Sequence, residues 1–238
     1  MVRRLKEDVR EMQGGFPQRN VVPVVVDDLP EDAPELLLSR LLDDYRTVRE
    51  RRLASGSARA QAAAGLLLVG LQQRLLSSVE AFARSLAVHR RAVERHWTQE
   101  SGETAPAPPR PDGTDARLFT KAPGADDERA SWTAEDVETD EKRQVEAVTA
   151  AAEEDPSRGA DAALRERERE LLDRMQAIAE QARGRPDAKT RRLIDWIREH
   201  LCADLPPFGR APDPSVAPPR WNDRRVLIFT ENLSLIHI

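Results

Sequence analysis

The chain has 238 residues, of which 33% are charged, 39% hydrophobic and 4% aromatic, and its formal net charge is −5. So few aromatics among so many charges argue against one fully buried globule of this length, and favour helices separated by solvated segments. The acidic balance excludes bulk attraction to nucleic acid and leaves only local patches. A single cysteine, Cys202, excludes an internal disulfide framework and fits a reducing cytoplasm.

Val21-Val22-Pro23-Val24-Val25-Val26 is β-branched and predicts a strand, which Pro23 assigns to an edge because it lacks a donor. From Ala33 to Arg52, Leu37, Leu38, Leu41, Leu42, Tyr45 and Val48 recur at helical spacing, and Ser55-Gly56-Ser57 ends the run. Ala60 to His96 predicts one long helix with Leu67, Leu71, Leu75, Val79, Phe82, Leu86 and Val93 on one side. At 1.5 Å per residue it would be a projecting rod of about 55 Å. The longest apolar stretch, Ala62 to Leu71, falls short of the roughly 20 residues of a bilayer span. The basic start, Met1 to Lys6, is followed by no apolar run, so neither a membrane segment nor a secretory signal is expected.

Residues 98–161 carry Pro-rich (Ala105 to Gly113) and acidic (Asp126 to Glu128, Glu135 to Glu141) stretches and read as a long, mostly disordered linker. Within it Thr133, with Asp136 three residues on, can cap a helix. Ala162 to Ala182 predicts a further helix with Gly184 as its stop, and Asp187 caps another from Ala188 to Leu201. A Pro-rich loop leads to Arg225-Val226-Leu227-Ile228-Phe229-Thr230, an apolar strand that wants neighbours on both sides. No further βα units follow it, as though the chain were cut where a domain begins.

Most isolated motifs have bland readings. Gly65-Leu-Leu-Leu-Val-Gly70 has phosphate-loop glycine spacing, but Leu71 and Gln72 stand where Lys and Ser or Thr are needed, so the glycines read as close-packing positions in a helix. Asp127-Glu128 follows no strand and reads as a solvated loop. His89 and His96, seven apart, lack a third ligand and read as exposed helix-end histidines; Cys202 beside His200 reads as a half-buried thiol. Arg90, Arg91 and Arg95 could meet phosphate, but Glu94 makes a solvated face an equal reading.

Arg3-Arg4-Leu5-Lys6-Glu7-Asp8, then Phe16-Pro17-Gln18-Arg19, the Val21 to Val26 strand and a helix ending near Tyr45 resemble the segment after the first motor lobe of Swi/Snf-type superfamily-two helicases. Arg74-Leu75-Leu76-Ser77-Ser78, followed by Ala81 to Leu86, is similar to the helical insertion of bacterial members. Asp187-Ala188-Lys189 with Leu193 resembles the helix leading into the second lobe, and Arg225 to Glu231 resembles that lobe's first strand with helicase motif IV. The four blocks keep the family order. The long insertions are most similar to those of the helicase-like component of DISARM anti-phage systems.

The resemblance implies a mostly α piece: a helical insertion between two RecA-like α/β lobes, with only the first strand of the second lobe present. Residues 1–54 would follow lobe one, and 55–97 would form the long helix of the insertion. Next would come the 98–161 linker, helices leading to lobe two over 162–204, and a loop with that lobe's first strand over 205–232. The last six residues, Leu233 to Ile238, are identical to a translated sequencing adapter and read as an artefact.

The parent family uses ATP and magnesium and translocates on DNA. This chain has no Gly-x-x-x-x-Gly-Lys-Ser/Thr loop, strand-borne Asp-Glu box or arginine-finger motif, so it is expected to hold no cofactor and to lack ATPase activity. The residues implied as DNA or inter-lobe contacts are Arg3, Arg4, Lys6, Arg74, Thr230 and Glu231. Expected partners are DNA, the missing lobes and defence-system subunits, with no membrane. The rival readings are a self-contained helical interaction or adaptor protein, and a nucleic-acid adaptor using Arg74, Arg90, Arg91 and Arg95.

Overall fold

The computed structural model describes residues 21–100, 133–153 and 162–228, apart from positions 28, 208, 212, 214 and 216. Among them lie six helices: α1 (Pro34–Arg52), α2 (Ala58–Ser77), α3 (Val79–Glu100), α4 (Ala134–Glu153), α5 (Ala162–Ala182) and α6 (Ala188–Leu201). The protein is mostly α, and no helix among the described residues is long and apolar enough to cross a membrane.

Local chemistry sets the ends. Pro34 opens α1, where its missing N–H costs nothing, and Arg49, Arg51 and Arg52 in the last turn complement the helix dipole. The Ser57 hydroxyl accepts from the Ala60 N–H at 3.1 Å, and the Asp187 carboxylate from the Thr190 N–H at 2.8 Å, capping α2 and α6. At α4 the Asp136 N–H donates to Thr133 Oγ1 at 3.2 Å while the Thr133 N–H donates to Asp136 Oδ2 at 3.0 Å, a reciprocal cap. Gly184 follows α5 with φ 73°, a left-handed stop that favours glycine.

Several expectations need correction. The rod from Ala60 to His96 is two helices, because Ser78 is extended (φ −161°, ψ 154°). Its N–H closes α2 on the Arg74 carbonyl at 2.9 Å, while its hydroxyl accepts from the Ala81 N–H at 3.0 Å and starts α3. A side chain that can cap as well as continue a helix has here turned the chain. The 98–161 linker is not a linker throughout, since α3 runs to Glu100 and α4 occupies 134–153. Neither Val21–Val26 nor the described part of 225–230 forms a strand; both are irregular and largely exposed, as no neighbouring strand among the described residues offers a ladder. Phe229 and the residues beyond it lie outside the described residues. Gly65 is not a packing glycine either, because a Cβ there would meet nothing within 4 Å.

One apolar core joins α1 to α5. It contains Leu38, Leu41 and Leu42 of α1, Leu67, Leu68 and Leu71 of α2, Phe82, Leu86 and Val93 of α3, Val145 of α4, and Leu171, Leu172 and Met175 of α5. Cross-helix pairs give the directions. Arg74 meets Glu141 (4.0 Å) while Ala64 clusters with Ala152, so α2 and α4 are antiparallel. Arg84 meets Glu138 (3.7 Å) and Arg95 meets Glu146 (2.9 Å), so α3 and α4 are parallel. Glu80 meets Arg183 (2.9 Å) and Arg90 meets Asp173 (2.7 Å), so α5 opposes α3. Arg52 meets Glu168 (2.7 Å) at one end of α1 and Glu35 meets the Ala188 N–H (2.9 Å) at the other. The near end of the bundle therefore gathers the start of α1, the Ser78 corner, the end of α5 and the start of α6. The far end gathers the α1–α2 turn, the end of α4 and the start of α5.

Two substitutions check this packing by urea denaturation. Phe82 is fully buried, and Phe82→Ala should cost about 3–5 kcal/mol. Gly65→Ala, in open helix interior, should instead stabilise by about 0.5–1 kcal/mol.

Candidate functional site

Of the residues implied as contacts, Arg3, Arg4, Lys6, Thr230 and Glu231 lie outside the described residues. Arg74 is 8% exposed; it donates to the Gly70 carbonyl at 3.4 Å and faces Glu141 across the α2–α4 seam. Arg90 and Arg95 are likewise paired, with Asp173 and Glu146, while Arg91 is exposed and donates to the Ala87 carbonyl at 3.1 Å. These four arginines therefore do not form one free basic face.

The strongest constellation of chemistry-bearing side chains is one that sequence reading missed. Arg49 and Arg52, one turn apart on α1, meet Glu153 at the end of α4 and Glu168 on α5. Arg49 reaches Glu153 at 2.7 Å and Glu168 at 3.2 Å; Arg52 reaches the same two carboxylates at 2.8 and 2.7 Å. Arg49 Nη1 also donates to the Tyr45 hydroxyl at 2.9 Å. Since a guanidinium only donates, the Tyr45 oxygen accepts, and its one proton goes to His89 Nε2 at 2.7 Å. The ring proton of His89 is thereby assigned to Nδ1, which donates to Thr149 Oγ1 at 2.9 Å. Thus His89 is not an exposed helix-end histidine but a fully buried link between α1, α3 and α4. Cys202, similarly, is buried and not half-buried; its thiol donates to the Arg220 carbonyl at 3.3 Å.

Burial sets the titration of this cluster. Desolvation pushes the Glu153 carboxyl up, but the nearby Arg49 and Arg52 charges outweigh it and hold it at about 2. Burial, reinforced by the Arg49 charge, drives the His89 imidazole well below its ordinary value. Burial likewise raises the Tyr45 phenol, so it stays protonated and serves as a donor.

No member of the network is more than 8% exposed, so no substrate reaches it. What it can do chemically is fix the register of four helices. The Gly65 to Gly70 segment does not form a phosphate loop either. Gly65 to Gly70 lies within α2, where the backbone amides serve the helix ladder and cannot cradle phosphate. Among the described residues no group of three or more His, Cys, Asp or Glu side chains is set to hold a metal ion.

A second constellation lies at the near end. The Lys189 ammonium donates to the Leu76 carbonyl, the Glu35 carboxylate accepts from the Ala188 N–H at 2.9 Å, and Ser78 forms the corner beside Leu76. Glu80 is held there by Arg183 and Arg84, whose hydrogen bonds and charges outweigh desolvation and lower its pKa. No protein-family model, curated protein or solved structure matches the chain.

Arg49→Met should cost about 3–5 kcal/mol in urea denaturation, because it strands two buried carboxylates. Acid should weaken the fold in two stages. His89 stays neutral when folded but takes up a proton when unfolded, so stability falls as pH drops below about 6.5. Glu153 has a folded pKa of about 2 against an ordinary 4.5, so its contribution is complete above about 4.5 and disappears as pH falls toward 2. In His89→Gln the first stage should vanish; a pH profile parallel to that of the parent chain would contradict the assignment.

Proposed function

We propose that this chain carries the helical insertion of a Swi/Snf-type superfamily-two DNA translocase, with ATP binding and hydrolysis residing in motor lobes elsewhere in the same polypeptide. The observation that carries the reading is a convergence at the near end of the bundle. Leu76 and Ser78 belong to the block resembling the bacterial insertion, and Asp187 to Lys189 belong to the block resembling the approach to lobe two. These blocks, more than 100 residues apart, are joined by the Lys189–Leu76 hydrogen bond. Glu35, on the helix that belongs to the block resembling the segment after lobe one, caps the same helix start. A protrusion set between two lobes needs its chain to enter and leave at one end, and this bundle does so.

In such a motor, one lobe cradles the phosphates and magnesium and the other supplies arginine to the transition state. Lobe closure then steps the enzyme along the DNA backbone, where phosphate contacts make binding salt-sensitive. The insertion would act as a stiff body moving with the lobes, with Arg3, Arg4 and Lys6 before it and Thr230 and Glu231 after it contacting DNA or buttressing the lobes. The narrower assignment, to the helicase-like component of an anti-phage system in the cytoplasm, belongs to the same proposal.

A single core shared by five helices also favours a second reading, a self-contained helical interaction protein. Sequencing the genomic DNA through both ends separates the two. The translocase reading expects an upstream frame with Gly-Lys-Ser/Thr and Asp-Glu motifs and a downstream frame resuming after Asn232. A frame that is closed at both ends and lacks these motifs would overturn it. The chain by itself should release no phosphate from ATP, with or without DNA; turnover above the buffer blank would contradict the division of labour.

A further inference from the structure

We infer that the segment from Arg220 to Arg225, pinned across the C-terminus of α6, is a preformed binding surface for single-stranded DNA. The sequence gives this segment three arginines and one acid, Asp223, within a chain whose net charge is −5. All six residues are exposed, and Trp221 is 63% exposed. Neither the three guanidinium groups nor the indole has a hydrogen-bond, ion-pair or ring partner among the described residues, whereas the guanidinium groups of Arg49, Arg52, Arg84, Arg90, Arg95 and Arg183 are all engaged by carboxylates.

The backbone beneath these side chains is held. The Asn222 N–H donates to the Leu201 carbonyl at 2.9 Å and its side-chain amide to the His200 carbonyl at 2.6 Å, so one residue satisfies two orphan carbonyls of α6. On one side of Trp221 the Arg220 carbonyl accepts from the Cys202 thiol at 3.3 Å. On the other, Asn222 Oδ1 accepts from the Arg224 N–H at 3.0 Å, closing a local turn. The Trp221 backbone is therefore held between two anchored residues, with its side chain exposed.

A large exposed aromatic costs water-ordered surface and brings no packing within the bundle. Unpaired guanidinium groups beside it supply phosphate contacts, and the indole supplies a stacking platform for an unstacked base. A duplex keeps its bases stacked inside and offers Trp221 no free face, so the single strand is favoured. The choice of DNA over other polyanions rests on the translocase reading; the surface itself rests on these contacts.

The test is fluorescence anisotropy of a labelled oligo-dT with the full 238-residue chain, at about 50 and about 200 mM salt. The parent chain should bind, and Trp221→Ala should weaken binding roughly fivefold or more, with Trp221→Phe recovering most of it. Replacing Arg220, Arg224 and Arg225 with Ala should flatten the slope of log affinity against log salt by about two, from three lost contacts at roughly 0.7 each. Circular dichroism should show unchanged helicity, since all four positions are exposed. No binding at low salt, unchanged binding by the variants, or equal binding of a duplex with no effect of Trp221→Ala would each overturn the inference. Binding lost equally to oligo-dT and to a polyglutamate competitor would also overturn it, by reducing the surface to a charge sink. The translocase reading stands or falls separately, on the motor motifs in the flanking frames.

Discussion

Two arginines of α1 and two glutamates from different helices share one dry space, and the rest of the bundle is arranged so that they can. Removing four charges from water is expensive, and the cost is offset only when every charge meets its partners at hydrogen-bond distance. Each guanidinium here touches both carboxylates, so the set is neutral and doubly connected. A slide of one helical turn along α1 would set Tyr45 and Val48 against the glutamates in place of the two arginines. Apolar packing tolerates many registers at similar energy, whereas this network tolerates one. Tyr45, His89 and Thr149 extend the same constraint from α1 through α3 to α4.

The two ends of the bundle consequently differ in kind. The far end is closed by desolvated ion pairs that bind α1, α4 and α5 together, and Arg169 lies over the Trp97 ring at 5.3 Å. The near end is held by single hydrogen bonds and half-exposed pairs, such as Arg183 with Glu80, which water weakens. Helices of about 20 residues span roughly 30 Å, so the lock stands well away from the place where the chain enters and leaves. Motion at the near end can thus be transmitted through a body whose distant end does not yield.

Helical periodicity was legible in the sequence almost throughout, because Leu and Val at three- and four-residue spacing leave little choice in α1, α5 and α6. The Ser78 corner was not, since the apolar stripe continues in phase across it from Leu75 to Val79 and Phe82. Its only signal was the Ser77-Ser78 pair. Buried charge was also illegible. In a chain with 33% charged residues, Arg49 and Arg52 have the look of a solvated last turn, and their partners lie more than 100 residues away. The burial of His89 is masked in the same way, since Arg90 and Arg91 follow it directly. Val21 to Val26 and Val226 to Ile228 carry strand propensity without a ladder among the described residues, and propensity alone does not build a strand.

Net charge proves to be a poor guide to what this surface can attract. The overall −5 sums arginines that are cancelled locally with arginines that are not. On α3 and just past the end of α5, Arg84, Arg90, Arg95 and Arg183 sit within hydrogen-bond reach of carboxylates, so a distant phosphate meets neutral pairs there. Beyond α6 no arginine is paired with a carboxylate among the described residues, and positive charge lies at a helix C-terminus whose partial negative charge favours it. Attraction within a Debye length of about 10 Å depends on this local remainder and not on the total. An acidic protein can therefore present a cationic face wherever its folding leaves arginines without carboxylates, and the segment pinned across the end of α6 is one such place among the described residues.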